Sequence, residues 1–233
     1  MDVFGRAASD YLQGMHDDEI RVESSTMEDD IIPVAHLFRK FPEMPICEQV
    51  ALDAVRGRVL DVGGGAGSHC LYLQNKKMHV TMLDYSSGLC KVAKSRGVKN
   101  VVEHDFFTWH TTERFDTILF MMNGIGIGGN FSSFQHVIER SFTLLNPGGQ
   151  ILFDSTDISF CYEQDDGSLI LPMHIEYNGF VEFKLRYKHY EDKWFKWAYY
   201  DPEKLREILP SQYDFDILKK DGPAYCGKIT QKQ

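Results

Sequence analysis

Between Arg58 and Thr156 five short apolar runs, "RVLDV", "HVTMLDY", "NVVEHD", "FDTILFMM" and "GQILFDST", are interleaved with three helix-like segments, "SHCLYLQNKK", "SGLCKVAKSRG" and "FSSFQHVIERSFTLL". Runs of that length without polar alternation predict strands buried on both faces, and helices between them predict a parallel sheet covered on both sides. Ser68, Ser86 and Ser87 stand where helix N-caps are expected, and "NPGG", Asn146 to Gly149, supplies a stop and a tight turn. After Asp154 the pattern changes. Met173 to Tyr200 alternates with period two, placing Val181, Phe183, Leu185 and Tyr187 on one face and Glu182, Lys184, Arg186 and Lys188 on the other. "DPEKLREIL" then predicts a helix with Pro202 in its first turn, and "YDFDILKK" and "AYCGKITQ" predict two strands joined at Asp221-Gly222.

The 233 residues suit a single domain. Its expected parts are an N-terminal helical cap at 1–57, a cofactor-binding core at 58–160, an antiparallel insertion at 170–200 and a closing helix and hairpin at 201–233. The acidic run "HDDEIRVESSTMEDD" is expected to be a solvated loop. No apolar run approaches the roughly 20 residues of a membrane helix, and the charged N-terminus lacks the apolar stretch of a secretory signal, so a cytoplasmic setting without membrane contact is expected. Five scattered cysteines without a CxxC pair suit reduced thiols. A formal charge of -9 disfavours nucleic acid, which draws on clustered Lys and Arg, and makes a small molecule the expected partner.

The chemistry centres on the turn "RVLDVGGGAGSH", Arg58 to His69. A phosphate loop would need a lysine after its last glycine, and Gly67 is followed by Ser68-His69. A dinucleotide turn needs glycine at the sixth position, where this chain has Ser68 counting from Gly63 or Cys70 counting from Gly65; that reading is weakened and remains open. The residues spell D-x-G-x-G-x-G at Asp61, Gly63, Gly65 and Gly67. About twenty residues on, Asp84 closes the next strand with Tyr85 behind it, and a donor-free carboxylate there can accept from both hydroxyls of a ribose. Asp105 and Phe106 follow the third strand in "EHDFF", and "LNPGGQILFDST" leads into the fifth.

On these motifs the chain, from about Val59 to its end, resembles the class I methyltransferases that use S-adenosyl-L-methionine, of the small-molecule type. The resemblance implies a seven-stranded, mostly parallel, doubly wound α/β sheet with an antiparallel last strand inserted between the fifth and sixth. It implies that Gly63, Gly65 and Gly67 wrap the amino-acid end of the cofactor, that Asp61 takes its ammonium, that Asp84 takes the ribose, and that Asp105 and Phe106 hold the adenine. Arg39, about twenty residues before Asp61, matches an arginine that pairs with the cofactor carboxylate in some members. Tyr85 and Asn123 complete the expected cofactor-binding set, and the acceptor is expected near Asn123, at the ends of the fourth and fifth strands, leaving S-adenosyl-L-homocysteine as product.

The resemblance also trims the subclasses. An NPPY-type signature, a Pro-Cys nucleophile, the glutamate pair of arginine methyltransferases and a strand-four metal aspartate are all missing, although Asp154 and Asp157 lie close in sequence. What is left is N- or O-methylation of a small molecule without a metal. No catalytic residue is assigned; His16, His36, His104, His110, His174, Tyr11 and Tyr177 are candidate bases. Trp194, Trp197, Tyr199 and Tyr200 are expected either to roof the acceptor or to bury themselves in a homodimer. A non-catalytic protein that binds the cofactor or its product is the alternative from another class, and a nicotinamide oxidoreductase is a third reading.

Overall fold

The computed structural model describes residues 2–163 and 176–232. Its elements are α1 (Val3–Leu12), β1 (Glu19–Ser24), β2 (Asp30–Pro33), α2 (Ile46–Asp53), β3 (Val59–Val62), α3 (Ser68–Asn75), β4 (Val80–Asp84), α4 (Ser87–Ser95), β5 (Val101–Glu103), β6 (Phe115–Phe120), α5 (Phe131–Leu144), β7 (Leu145–Thr156), β8 (Phe180–Tyr187), β9 (Tyr190–Glu191), β10 (Phe195–Ala198), α6 (Pro202–Ile208), β11 (Tyr213–Asp221) and β12 (Ala224–Gln231). Among the described residues no helix is long and apolar enough to cross a membrane.

The central sheet runs β11-β12-β7-β6-β3-β4-β5. β3 through β7 pair in parallel, and β12 lies antiparallel between β7 and β11, as the resemblance implies. The apolar runs are apolar because both faces are covered. On one face α2 and α3 bring Cys47, Leu52 and Leu73 against Val59, Met82, Leu119 and Leu152; on the other α5 and α6 bring Phe134, Ile138 and Leu205 against Leu60, Ile118 and Phe153. In this apolar setting Asp61 and Asp84 are carboxylates inside buried strands, 1% and 6% exposed. Ser86 caps α4, accepting from the Leu89 amide at 3.1 Å. Ser68 does not cap α3: Gly67 takes that position with φ of 85°, and the Ser68 hydroxyl donates to the Leu37 carbonyl at 2.9 Å.

A second, antiparallel sheet runs β10-β8-β1-β2, with β9 on the free part of β8. Here the acidic run departs from the expected loop, because it supplies β1 and the first residue of β2. Ile20 and Val22 turn inward while Glu19 and Arg21 turn out, and Glu23 stands opposite Lys184 in the β1–β8 register. Lys184 Nζ reaches Glu23 at 3.1 Å and Glu191 at 3.4 Å, so the basic wet face of the insertion is neutralised by acidic residues on both sides of it. The expected inward set of Val181, Phe183, Leu185 and Tyr187 is buried, together with Val3, Ala7, Ile20 and Val34. The insertion's apolar face is thus covered by the chain's own N-terminal segment, which is a cap of helices and strands.

Candidate functional site

The parallel strands end on a common rim, and the sheet order arranges their polar residues along it. Asp105 follows β5, Asp84 ends β4, Asp61 lies in β3, Asn123 follows β6 and Asp154 lies in β7. Neighbouring strands are roughly 4.8 Å apart, so this is a row of carboxylates at regular steps, interrupted at Asn123.

At its centre is the glycine turn. Gly63 and Gly65 have left-handed φ of 70° and 59°, and a Cβ on either would meet open space, with nothing nearer than the Gly63 carbonyl at 3.9 Å from that of Gly65. Gly67 looks identical in sequence but serves packing, since a Cβ there would stand 2.6 Å from Val98 Cγ2. Arg96 braces the turn from beneath, donating to the Ala66 carbonyl at 2.6 Å and stacking its guanidinium over Phe38. A narrow cavity opens at the turn, lined by Gly63, Gly64, Gly65, Ala66, His36, Arg39, His69 and Met122 among others.

Asp84 holds the turn from the side. Its two oxygens accept from the Gly65 amide at 3.0 Å and the Ser86 amide at 2.8 Å, each keeping a lone pair, and burial raises its pKa to about 6 despite those bonds. Tyr85 beside it is 77% exposed, an aromatic ring left over the rim. Asp61 Oδ2 accepts from the Cys70 thiol at 3.1 Å, while Oδ1 is buried without a partner among the described residues. Burial pushes this carboxyl up as well. An orphaned carboxylate oxygen beneath a turn whose Cβ positions face open space fits a bound ammonium. Asp105 is exposed and caps its own turn, accepting from the Phe107 amide at 2.8 Å; Phe106 is 5% exposed in the core against Phe120, with Phe107 as the more open ring.

Arg39 lines the cavity, with its guanidinium engaged from within. Nη2 donates to Glu48 at 2.9 Å and Nε to the His36 carbonyl at 2.9 Å, and the other Glu48 oxygen meets His69 Nε2 at 2.9 Å. Burial opposes charge on this ladder, but the partners outweigh it: Glu48 is held below its ordinary pKa by His69 and Arg39, and His69 above its own by Glu48 and Asp61. Nothing in the spacing of Arg39, Glu48 and His69 announces this ladder, and sequence reading missed Glu48 and His69.

Past the glycine turn, Met122 and Asn123 both adopt left-handed φ, 58° and 59°, which is rare for side-chain-bearing residues. The fold over-determines them. The Asn123 amide donates to Asp154 Oδ2 at 3.0 Å, its carbonyl accepts from Trp197 Nε1 at 3.1 Å, and its side-chain oxygen accepts from Thr156 Oγ1 at 3.0 Å. Trp197 therefore ties β10 to the β6 rim. Trp194 is 48% exposed under Lys184, and Tyr200 is buried.

Of the candidate bases His36 lines the cavity, half-buried and with its pKa lowered by burial and then by Arg39. His16, His104 and His110 are exposed. Tyr11 stacks on Phe38, Tyr177 donates to Asp201 at 2.7 Å, and His174 lies outside the described residues. The described residues contain no group of three or more side chains placed to hold a metal.

Comparison with known proteins agrees with this geometry. Residues 36–220 match the family described as "Methyltransferase domain". A crystal structure of a SAM-dependent methyltransferase from Bacteroides fragilis, in complex with S-adenosyl-L-homocysteine, superposes with a TM-score of 0.92 at 34% identity, covering 100% of this chain and 95% of that one. The CcbJ methyltransferase of Streptomyces caelestis shares the fold, with a TM-score of 0.65 at 12% identity over 84% of this chain and 93% of that one. The Geobacillus sp. protein named "Putative methyltransferase" is 28% identical over 102 residues, 42% of this chain and about two fifths of that relative's own length. On the strength of the family match over most of its length, and of a turn built to admit a ligand at Gly63 and Gly65, the chain belongs to the methyltransferase-domain family.

Proposed function

We propose that the protein transfers a methyl group from S-adenosyl-L-methionine to a nitrogen or oxygen of a small-molecule acceptor. The carrying observation is the Asp61 oxygen left without a partner among the described residues, beneath the open side of Gly63 and Gly65. In this reading Asp61 holds the ammonium of the cofactor, Arg39 faces its carboxylate, Asp84 and Tyr85 take the ribose, and Asp105 and Phe106 border the adenine. Asn123 and the β6–β7 rim border the acceptor. The bound cofactor supplies a sulfonium methyl that is displaced in line, a reaction that chiefly needs alignment and the exclusion of water. The chain's part is to fix both partners on one rigid rim. The Bacteroides fragilis relative, which carries the product form in its crystal, supports the cofactor assignment.

Calorimetric titration with S-adenosyl-L-homocysteine tests this. Micromolar binding is expected, weakened at least a hundredfold by Asp84→Ala, which removes the ribose acceptor and the anchor of the Gly65 amide together. Affinity should fall as pH drops below about 6, where Asp84 gains a proton and can no longer accept with both oxygens. Arg39→Ala should cost about tenfold, the worth of one charge-assisted contact from a largely buried guanidinium that is shared with Glu48. Absence of binding to the wild-type protein, or stabilisation by NAD instead, would sink the assignment. Binding without turnover of any acceptor would make the protein a cofactor-binding regulator.

A further inference from the structure

The row of rim carboxylates runs one strand further than the cofactor reading uses. Asp154 lies on β7, beyond β6, and the register fixes its level: Asp61 stands opposite Leu119, Leu119 opposite Leu152, and Asp154 is two residues further toward the rim. Asp61, Leu119, Leu152 and Asp154 share the sheet face that α2 and α3 cover. Three carboxylates, Asp61, Glu48 and Asp154, therefore meet two cationic side chains, Arg39 and His69. Both of those are bound to Glu48 at 2.9 Å, which among the described residues leaves Asp61 and Asp154 without a cation of their own. Asp154 is 9% exposed, Oδ2 is held by the Asn123 amide at 3.0 Å, and Oδ1 has no partner among the described residues. Directly above it the chain is bent through two left-handed residues, one of which, Met122, lines the cavity and is 37% exposed.

We infer that Asp154 is the acceptor-binding carboxylate of this protein and that the acceptor is an amine, held there through its ammonium group. The inference rests on the methyltransferase reading and adds to it the substrate class. A buried carboxylate with one oxygen free and no internal cation is stabilised by a ligand that brings a donor and a positive charge together. An ammonium must also lose a proton before its nitrogen can attack. The balanced step is that one N–H proton passes to Asp154 Oδ1, the nitrogen forms a bond to the sulfonium methyl, and the carbon–sulfur bond breaks with its electron pair remaining on sulfur. The products are an N-methyl ammonium, S-adenosyl-L-homocysteine and a protonated Asp154, which returns its proton to solvent. Burial raises the pKa of Asp154 to about 7, helped by the charge of Glu48 and opposed by the Asn123 amide, His69 and the Met122 amide, so proton transfer from an amine of ordinary pKa about 10 is only modestly uphill. The same carboxylate is far too weak a base for an alcohol. Cys47, Cys226, Tyr199 and Tyr225 also sense the Asp154 charge, and burial raises their pKa values so that they stay neutral over this range, while Asp61, on the same sheet face, is likewise pushed up by burial.

The full chain loaded with S-adenosyl-L-methionine is offered primary and secondary amines, each matched with the alcohol of the same skeleton, such as 2-phenylethylamine against 2-phenylethanol, and release of S-adenosyl-L-homocysteine is followed. Turnover is expected with amines alone, with kcat/KM rising with pH through about 7. Asp154→Asn, which retains an oxygen for the Asn123 amide, should lower kcat/KM at least a hundredfold, flatten that rise and leave S-adenosyl-L-homocysteine affinity within about threefold. Asp157→Asn, three residues along, whose side chain among the described residues bonds only to Ser159, should behave as wild type. Turnover of alcohols, full activity in Asp154→Asn, or no amine turned over by protein that binds S-adenosyl-L-homocysteine each overturns the inference while leaving the cofactor assignment intact. Failure of the wild type to bind S-adenosyl-L-homocysteine is the separate result that removes the underlying reading.

Discussion

Asp154→Asn is expected to stabilise the cofactor-free protein, and by more as the pH rises. In the folded chain the carboxyl titrates at about 7, against 3.8 when exposed, because burial disfavours its charge. Below about pH 4 both states hold the proton and the group contributes its full share. Between 4 and 7 the unfolded chain gives the proton up first, so stability is lost progressively, and above 7 the loss is complete. A gap of about three units corresponds to roughly 4 kcal/mol, an upper bound for a site this close to the rim. The amide carries no charge to desolvate and still accepts from the Asn123 amide. At pH 4 it should match the wild type or fall below it by about 1 kcal/mol, for its unsatisfied N–H. At pH 8 it should exceed the wild type by about 2–4 kcal/mol, a rise in Tm of about 4–16 °C for a chain of this size. Chemical denaturation of both proteins from pH 4 to 8 reads the difference directly. His69 and Glu48 are common to both, so a difference that stays flat with pH would show that Asp154 is not the group holding the proton. A carboxylate kept at such a cost to the fold is what a binding site requires and a structural role does not.

The parts of this site that were legible in the sequence are those whose chemistry and spacing are local. Buried parallel strands reveal themselves by unbroken apolar runs, and a carboxylate closing such a run, as at Asp84, stands out against it. The glycine turn was legible as a turn, but Gly63, Gly65 and Gly67 differ only in what a Cβ would touch, which a string of letters does not carry. The ladder of Arg39, Glu48 and His69 joins two helices and a connecting loop with no shared period. The pairing of β1 with β8 joins segments far apart in the chain, and the inward pair Ile20 and Val22 is too short an alternation to outweigh the acidic residues around it. Asp154 was visible as the end of a strand; its missing partner could only be seen once Asn123, Glu48 and His69 had been placed around it.

The second large effect concerns "NGIGIGG", the glycine-rich segment that follows β6. A Cβ on Gly126 would stand 1.9 Å from the Ala198 carbonyl oxygen and 2.9 Å from its carbon, so this glycine is the point where the β10 backbone passes against the β6 rim. Just beyond it the β10 exit is pinned by polar bonds: Tyr200 N and O both bond to Ser155 Oγ at 3.1 Å, and the Tyr225 hydroxyl donates to the Tyr200 carbonyl at 2.6 Å. Backbone held this way cannot retreat by the angstrom or more that a methyl requires. Gly126→Ala should therefore part β10 from the rim, break the Ile127–Trp197 bridge and release Trp197 Nε1 from the Asn123 carbonyl. The expected cost is about 3 kcal/mol, at the upper end for overpacking, or a fall in Tm of about 6–12 °C. Gly124→Ala, two residues earlier, places its Cβ in ordinary contact 3.6 Å from Phe120 Cβ and should leave Tm within about 2 °C. S-adenosyl-L-homocysteine affinity should stay close to wild type in both, because β3 and β4 carry the cofactor side, while methyl transfer should fall in Gly126→Ala alone, because Asn123 loses the support that aims its amide at Asp154. Equal melting of the two variants would mean that β10 is free to yield at Ala198, and an undiminished rate in Gly126→Ala would mean that the second sheet does not shape the acceptor side.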